Sequence, residues 1–213
     1  MGAQSFLTAE EQRKIIECVK DVETRTSGEI VPVIASESYH YPSAVAFGSL
    51  LLGVAAAVAA CMYLGSEDMW MFLAIFLGAY CVFQIVLRYA SILKKPFVSR
   101  RQMAEEVDEA AITNFYLNGL HHTRDQTGII IYVSVYERMV QVLADKGIND
   151  KVDPQVWNEV VRIVTKGIRT GAPADGICQA IARCGELITE HFPIKADDTD
   201  ELPNLIIDGE AKQ

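Results

Sequence analysis

Two kinds of hydrophobic patterning divide this chain. From Ala44 to Leu64 (AVAFGSLLLGVAAAVAACMYL) and from Met69 to Tyr89 (MWMFLAIFLGAYCVFQIVLRY) apolar residues run on without a polar face. The first segment holds no charge and a single serine, Ser49; the second carries Gln84 and Arg88 near its end. Each has about the twenty residues that cross a hydrocarbon core about 30 Å thick. A domain this small cannot surround two helices that are apolar on every side. Transmembrane helices are therefore expected at 44–64 and 69–89, joined as a tight hairpin by Gly65-Ser66-Glu67-Asp68. Small residues recur at four-residue spacing, as Ser49, Gly53 and Ala57 in the first helix and Ala74 and Gly78 in the second. They predict close backbone approach, the way helices associate in lipid. Gln84 is expected either to bond across that contact or to reach water at the interface.

The flanking sequence has the shorter periods of a water-soluble α/β fold. Thr8 with Glu11 three residues on forms a capping box, and Ile15, Ile16, Val19 and Val22 mark one helical face. Thr26-Ser27-Gly28 breaks that helix, and EIVPVIA, Glu29 to Ala35, reads as a strand whose Pro32 suggests a sheet edge or a bulge. A second helical pattern runs from about Val98 to Asn118 with the stripe Met103, Val107, Ala110 and Ala111, and Gly119 is its expected stop. GIIIYVSV is a continuous apolar run of the kind covered on both faces, and MVQVL follows after a very short turn, so the two should pair antiparallel. Asp153-Pro154 starts another helix, with Val156, Trp157, Val160, Val161 and Val164 facing the core. Gly171-Ala172-Pro173 breaks it. A last helix carries Ile177, Ala180, Ile181, Cys184, Leu187 and Ile188 and ends at His191-Phe192-Pro193.

This order predicts an α/β fold, a three-layer α/β/α sandwich with a mixed sheet. Its first segment covers 1–40 and its second 97–193, and the transmembrane hairpin is an insertion in the crossover between the first and second strands. Crossovers lie on the surface and accept insertions. Residues 194–213 read as an acidic, largely disordered tail, where Asp197, Asp198, Asp200, Glu201, Asp208 and Glu210 face only Lys195 and Lys212.

Composition sharpens the picture in three ways. A positive mean hydropathy with 22% charged residues agrees with membrane content. A formal charge of −9 argues against nucleic acid, whose phosphates need a basic surface. The five cysteines, Cys18, Cys61, Cys81, Cys178 and Cys184, form no C-x-x-C pair and are expected to be reduced. The start MGAQSFLTAEEQRKII has neither the basic nor the apolar region of a signal peptide, and Ser5 stands one place short of the myristoylation pattern. Orientation follows from charge: the connector carries Glu67 and Asp68, whereas Arg88 at the end of the second span is followed by Lys94, Lys95, Arg100 and Arg101. The positive-inside rule places both termini and the α/β domain in the cytoplasm, with Tyr63, Trp70 and Tyr89 as interfacial anchors.

Two segments, SGEIVPVIASES (Ser27 to Ser38) and TGIIIYVSVYERMVQVLADKGI (Thr127 to Ile148), are similar to the signature regions of the TPM domain. Asn118-Gly119-Leu120, Trp157, the residues from Ala174 to Pro193, and Asp198 with Glu201-Leu202-Pro203 resemble its bacterial membrane branch, in which two spans interrupt the domain after the first strand. The resemblance implies an α/β/α sandwich in the bacterial inner (cytoplasmic) membrane. It implies an accessory or protein–protein interaction role, in envelope maintenance, with a membrane partner of the LemA type. It also implies an alternative, since some members bind calcium through loop carboxylates and weak phosphatase activity is attributed to plant members.

The residues themselves name no reaction. There is no phosphate-cradling glycine loop, no H-E-x-x-H and no G-x-S-x-G, so no catalytic or cofactor-binding residue is assigned. His121 and His122 are adjacent in a helical end and should diverge by about 100°. They read as a solvated terminus. For Ca or Mg the candidates are Asp145, with Asp150 and Asp153 near it and Glu29 brought close by the fold, because hard cations need several oxygens. Asp145 equally suits a turn and Asp153 a helix cap, so the metal ligands stay unknown. Glu137 and Arg138 are expected as exposed turn residues, with a partner contact at Tyr136-Glu137-Arg138 as the alternative.

Overall fold

A computed structural model describes residues 2–194 and 202–207. Its helices of one turn or more are α1 (Ala9–Glu23), α2 (Pro42–Leu64), α3 (Met69–Tyr89), α4 (Ser91–Lys94), α5 (Arg100–Leu117), α6 (Lys146–Asn149), α7 (Trp157–Arg169) and α8 (Pro173–Thr189). The strands are β1 (Glu29–Ala35), β2 (Gly128–Ser134), β3 (Met139–Ala144) and β4 (Ile206–Ile207). Residues 1–39 with 104–213 form one compact unit, and 40–103 form the other.

The α/β unit is built on a four-stranded mixed sheet in the order β3-β2-β1-β4. β1 and β2 are parallel, in register from Glu29 opposite Gly128 to Ala35 opposite Ser134. β3 returns antiparallel beside β2. Both central strands are buried along their whole length, which is why they read as unbroken apolar runs. On one face of the sheet Ile30, Ile34, Ile129 and Ile131 meet α1, α7 and α8 through residues such as Ile15, Val19, Val160, Val164, Ile177 and Ile181. On the other face Val31, Val33, Ile130 and Tyr132 meet α5 through Val107, Ala111 and Phe115. The three-layer sandwich is therefore present.

Local chemistry sets the element ends. The capping box forms in both directions: Glu11 N–H donates to Thr8 Oγ1 at 3.3 Å, and Thr8 N–H donates to Glu11 Oε2 at 2.8 Å. Gly119 and Gly171 end their helices in the left-handed region, at φ 77° and 78°. Asp153 caps a short turn, Pro154–Val156, and α7 proper begins at Trp157. Between α7 and α8, a Cβ on Gly167 would lie 2.5 Å from Gly176 Cα, so the two helices touch through glycine backbones.

Two expectations are corrected here, for the tail and for the cysteines. The acidic positions proposed for the tail lie outside the described residues, but Ile206 and Ile207 pair parallel with Val33 and Ile34. Leu205 and Ile207 pack on one side of the sheet and Leu202 and Ile206 on the other, so the apolar run LPNLII carries more free energy than its acidic surroundings suggest. Pro32 sits where the sheet can spare a donor: residues of β1 alternate their amides between neighbours, and Pro32 precedes the start of the β4 pairing. One alternation earlier on that edge, Ile30 N–H donates to Glu23 Oε1 at 3.3 Å. The cysteines are also not all reduced, because α1 and α8 pack side by side and a disulfide joins Cys18 to Cys178, with Cα atoms 5.6 Å apart. Cys184 is buried, and burial pushes its thiol up to about 12.

In the second unit, α2 and α3 form an antiparallel hairpin of two helices long and apolar enough to cross a membrane. α2 buries the expected small face, Ser49, Gly53 and Ala57. α3 does not answer with its own small residues: Ala74 and Gly78 are exposed, and nothing lies within 4 Å of a Cβ placed on Gly78. Aromatic positions do so instead, with the Phe76 ring and the Tyr80 backbone against Gly53. Small residues on one helix thus make room for rings on the other. Gln84 Nε2 donates to Tyr80 OH at 2.8 Å within α3. Lys94 is buried, with its ammonium 5.7 Å from the Tyr41 ring centroid and donating to His40 O at 3.4 Å.

Because Ile207 is 2% exposed, Ile207→Ala should destabilise the α/β unit by about 2–4 kcal/mol. Denaturant melts of the full chain in detergent, followed by near-ultraviolet circular dichroism, measure this. An unchanged midpoint would mean that the tail is solvated throughout.

Candidate functional site

Because β1 and β2 are parallel and in register, their carboxyl ends open at one edge of the sheet. That edge is where ligands bind in open α/β sheets. The ladder continues one step past both strands, with Val135 N–H donating to Ala35 O and Tyr136 N–H to Ser36 O, each at 3.0 Å. Arg138, at φ 57°, then turns the chain back into β3.

Glu137 is the centre of this edge, and it is 4% exposed. Its carboxylate accepts from Ser38 N–H, at 3.2 Å to Oε1 and 3.3 Å to Oε2, and from the hydroxyl of Ser134. Ser38 Oγ lies 3.3 Å from Tyr132 OH. The expectation of an exposed Glu137 is therefore corrected: the turn tucks the carboxylate under the segment that follows β1. Only Arg138 is exposed as expected, and Tyr136 is half-buried. Burial, followed by the charges of Glu137 and Glu37, pushes the Tyr136 phenol up to about 12.

Beside this edge lies a groove of about 680 Å³, between α5 and the β1–β4 pair. Val33, Ala35 and Ile206 line its floor, Glu106 and Glu109 of α5 its wall, and Glu37 its rim. The Glu106 carboxyl is raised above the ordinary range, first by desolvation and then by the charges of Glu109, Glu105 and Glu137. The groove combines an apolar base with hydrogen-bond acceptors and negative charge. It suits a ligand that brings an apolar face and a cation.

The proposed metal ligands are dispersed. Asp145 Oδ1 caps α6, accepting from Lys146 N–H at 2.7 Å, and Asp153 Oδ1 accepts from Gln155 N–H at 2.9 Å. Asp150 ends α6. Glu29 does come to the same sheet edge as Asp145, since Glu29 lies opposite Gly128 and Asp145 N–H donates to Gly128 O at 2.8 Å. Among the described residues, no three His, Cys, Asp or Glu side chains converge on a common point suited to a metal. His121 and His122 do not diverge: they lie in the 3₁₀ turn Leu120–His122, and their ring centroids are 3.8 Å apart.

Fold and edge together define an α/β/α domain carrying an acidic groove beside the carboxyl ends of its parallel strands. Residues 97–187 match the family model of the TPM domain. The NMR structure of the BA42 protein from the psychrophilic bacterium Bizionia argentinensis is similar, with 24% identity and a TM-score of 0.57 over 95% of this chain and 94% of that one. No curated protein matches. The family match therefore lies in the second stretch of the α/β domain, and the likeness to BA42 extends the common fold over the whole chain.

Sequence reasoning missed Glu37, Glu106 and Glu109 as one set. A usable signal existed: Glu106 lies next to Val107, and Glu109 next to Ala110, so both flank the apolar stripe of α5. Glu137 gave no such signal, because a charged residue in a two-strand turn normally faces water.

Glu137→Ala should cost about 2–4 kcal/mol, because Ser38 N–H and the Ser134 hydroxyl lose a charged acceptor; chemical denaturation reads this, and a solvated Glu137 would give no loss. Glu106 carries a raised folded-state pKa, so the penalty for its charge grows as pH rises from its unfolded value through the folded one. Glu106→Gln should therefore raise the melting temperature at pH 7 and leave it unchanged near pH 3, where both side chains are neutral.

Proposed function

We propose that this protein is a membrane-anchored interaction module, displaying its TPM domain on the cytoplasmic side of a bacterial inner membrane and serving envelope maintenance through a membrane-protein partner. The observation that carries the reading is the pair of helices α2 and α3. Their most apolar windows are only 28% and 6% buried, although the α/β unit next to them has a complete core of its own. Apolar surface left open on that scale is accounted for by a lipid bilayer. The charge asymmetry between connector and flanks supports the cytoplasmic placement. The Cys18–Cys178 disulfide weighs the other way, since disulfides persist in oxidising compartments. Arg88 at the end of α3 and the four basic residues after it, against none in the connector, favour the cytoplasm in this reading.

The LemA-type association belongs to the family resemblance, and the groove supplies a surface for such a partner. A second reading, a divalent-cation-dependent phosphatase-like hydrolase using Ca or Mg, draws on the carboxylates at the strand ends. Calorimetry with calcium, magnesium and manganese, together with hydrolysis of a generic phosphomonoester, decides between the two. The interaction reading expects flat titrations and no turnover.

Topology is tested with cysteines placed for the purpose, because Cys178 is bonded and Cys184 buried. With Cys61 and Cys81 replaced by alanine, Glu67→Cys should react with an impermeant maleimide from outside intact spheroplasts. Gln179→Cys, exposed on α8, should react only after permeabilisation. The reverse pattern would move the domain to the other side.

A further inference from the structure

The two faces of the sheet are not covered equally. Among the described residues, α1, α7 and α8 lie on one face, and α5 is the one long helix on the other, with Leu202 and Ile206 beside it. Four strands at about 4.8 Å span roughly 19 Å, whereas one helix with its side chains covers about 10 Å. α5 sits over β1 and β2 through Val107, Ala111 and Phe115. α5 therefore leaves the β4 side of that face open, as a groove of about 680 Å³ over β1 and β4 with the apolar floor and acidic walls already described.

We propose that this groove docks a basic amphipathic helix, the cytoplasmic juxtamembrane segment of another membrane protein. The proposal rests on the interaction-module reading and names the surface and chemistry of its partner. Three observations carry it. Over the buried floor of Val33 and Ala35, the partly exposed Ile206 and the exposed Leu117 and Tyr39 offer the apolar contact that an amphipathic helix lays into a groove. Glu37, Glu106 and Glu109 supply charge of one sign along the rim and wall, and no ion pair engages Glu106 or Glu109 among the described residues. A lysine or arginine arriving there also relieves the mutual repulsion of Glu106, Glu105, Glu109 and Glu137. Finally, Tyr39, on the rim, precedes the apolar helix α2 at Pro42 by three residues. In sequence the rim thus adjoins a helix apolar enough to cross a membrane. Segments flanking spans on the cytoplasmic side are the ones enriched in lysine and arginine. The same acidic rim repels anionic lipid headgroups, which excludes a bare bilayer surface as the occupant.

The test uses the full chain in phosphatidylcholine nanodiscs and a fluorescein-labelled 18-residue peptide of leucine and lysine, with the leucines on one helical face. Fluorescence anisotropy should show saturable binding. The double variant Glu106→Gln, Glu109→Gln should weaken it about tenfold, as expected for two partly exposed ion pairs. Ala110→Trp, which fills the groove, should abolish it. A peptide of the same composition, with leucine and lysine shuffled so that no face forms, should bind at least tenfold more weakly. Circular dichroism melts establish that the glutamine variants fold, so the test stands even if the tryptophan variant does not. Equal binding of the shuffled peptide, or unchanged binding to the glutamine variants, overturns the proposal. So does binding to phosphatidylglycerol vesicles that the glutamine variants leave intact and that displaces the peptide. Partner crosslinks in native membranes that persist in these variants would remove the groove from the account while leaving the interaction module standing.

Discussion

Parallel pairing of β1 with β2 is the constraint on which the rest of the structure depends. Parallel neighbours cannot be joined by a tight turn, so the chain must leave the sheet and cross over. That crossover contains α5, which covers one face, and it is long and exposed enough to accept a hairpin of two long apolar helices. The entropy of closing a loop grows only with the logarithm of its length. Inserting residues 40–103 therefore costs the pairing little, provided the two apolar helices satisfy one another and find a bilayer. The register of the pairing also brings the segments after both strands side by side, and this creates the edge where Glu137 holds Ser38 and Ser134.

The sheet's outer boundary is completed from the far end of the chain. Along the free edge of β1, Glu23 meets the amide of Ile30, Pro32 offers none, and β4 pairs at Val33 and Ile34. Each device blunts an edge that would otherwise template association with another strand. β4 also forms part of the groove floor, so the short strand contributes both to closing the edge and to shaping the candidate surface.

How far the sequence disclosed this depended on the kind of signal. The limits of β1 and the capping box at Thr8 were readable because strand burial and helix capping are local effects. The two long apolar helices were readable because uniform hydrophobicity leaves a helix no polar face to place. The disulfide was not, since Cys18 and Cys178 stand 160 residues apart and meet only through the packing of α1 on α8. β4 was hidden because its acidic neighbourhood outweighed two isoleucines, and the aromatic answer of α3 to the small face of α2 was hidden because spacing shows which faces are small, not which face meets which. The acidic groove required the tertiary fold, which alone brings Glu37 from beyond β1 to Glu106 and Glu109 on α5.

The central claim is that one α/β domain, assembled from two separated stretches, carries the hairpin as an insertion. The most direct measurement is a ¹H–¹⁵N correlation spectrum and thermal melt of a chain in which residues 40–103 are replaced by a short glycine–serine linker. The account predicts a soluble protein with dispersed amide resonances and one cooperative transition. Collapsed resonances with no cooperative melt would show that the α/β unit needs the hairpin to fold, and would contradict it.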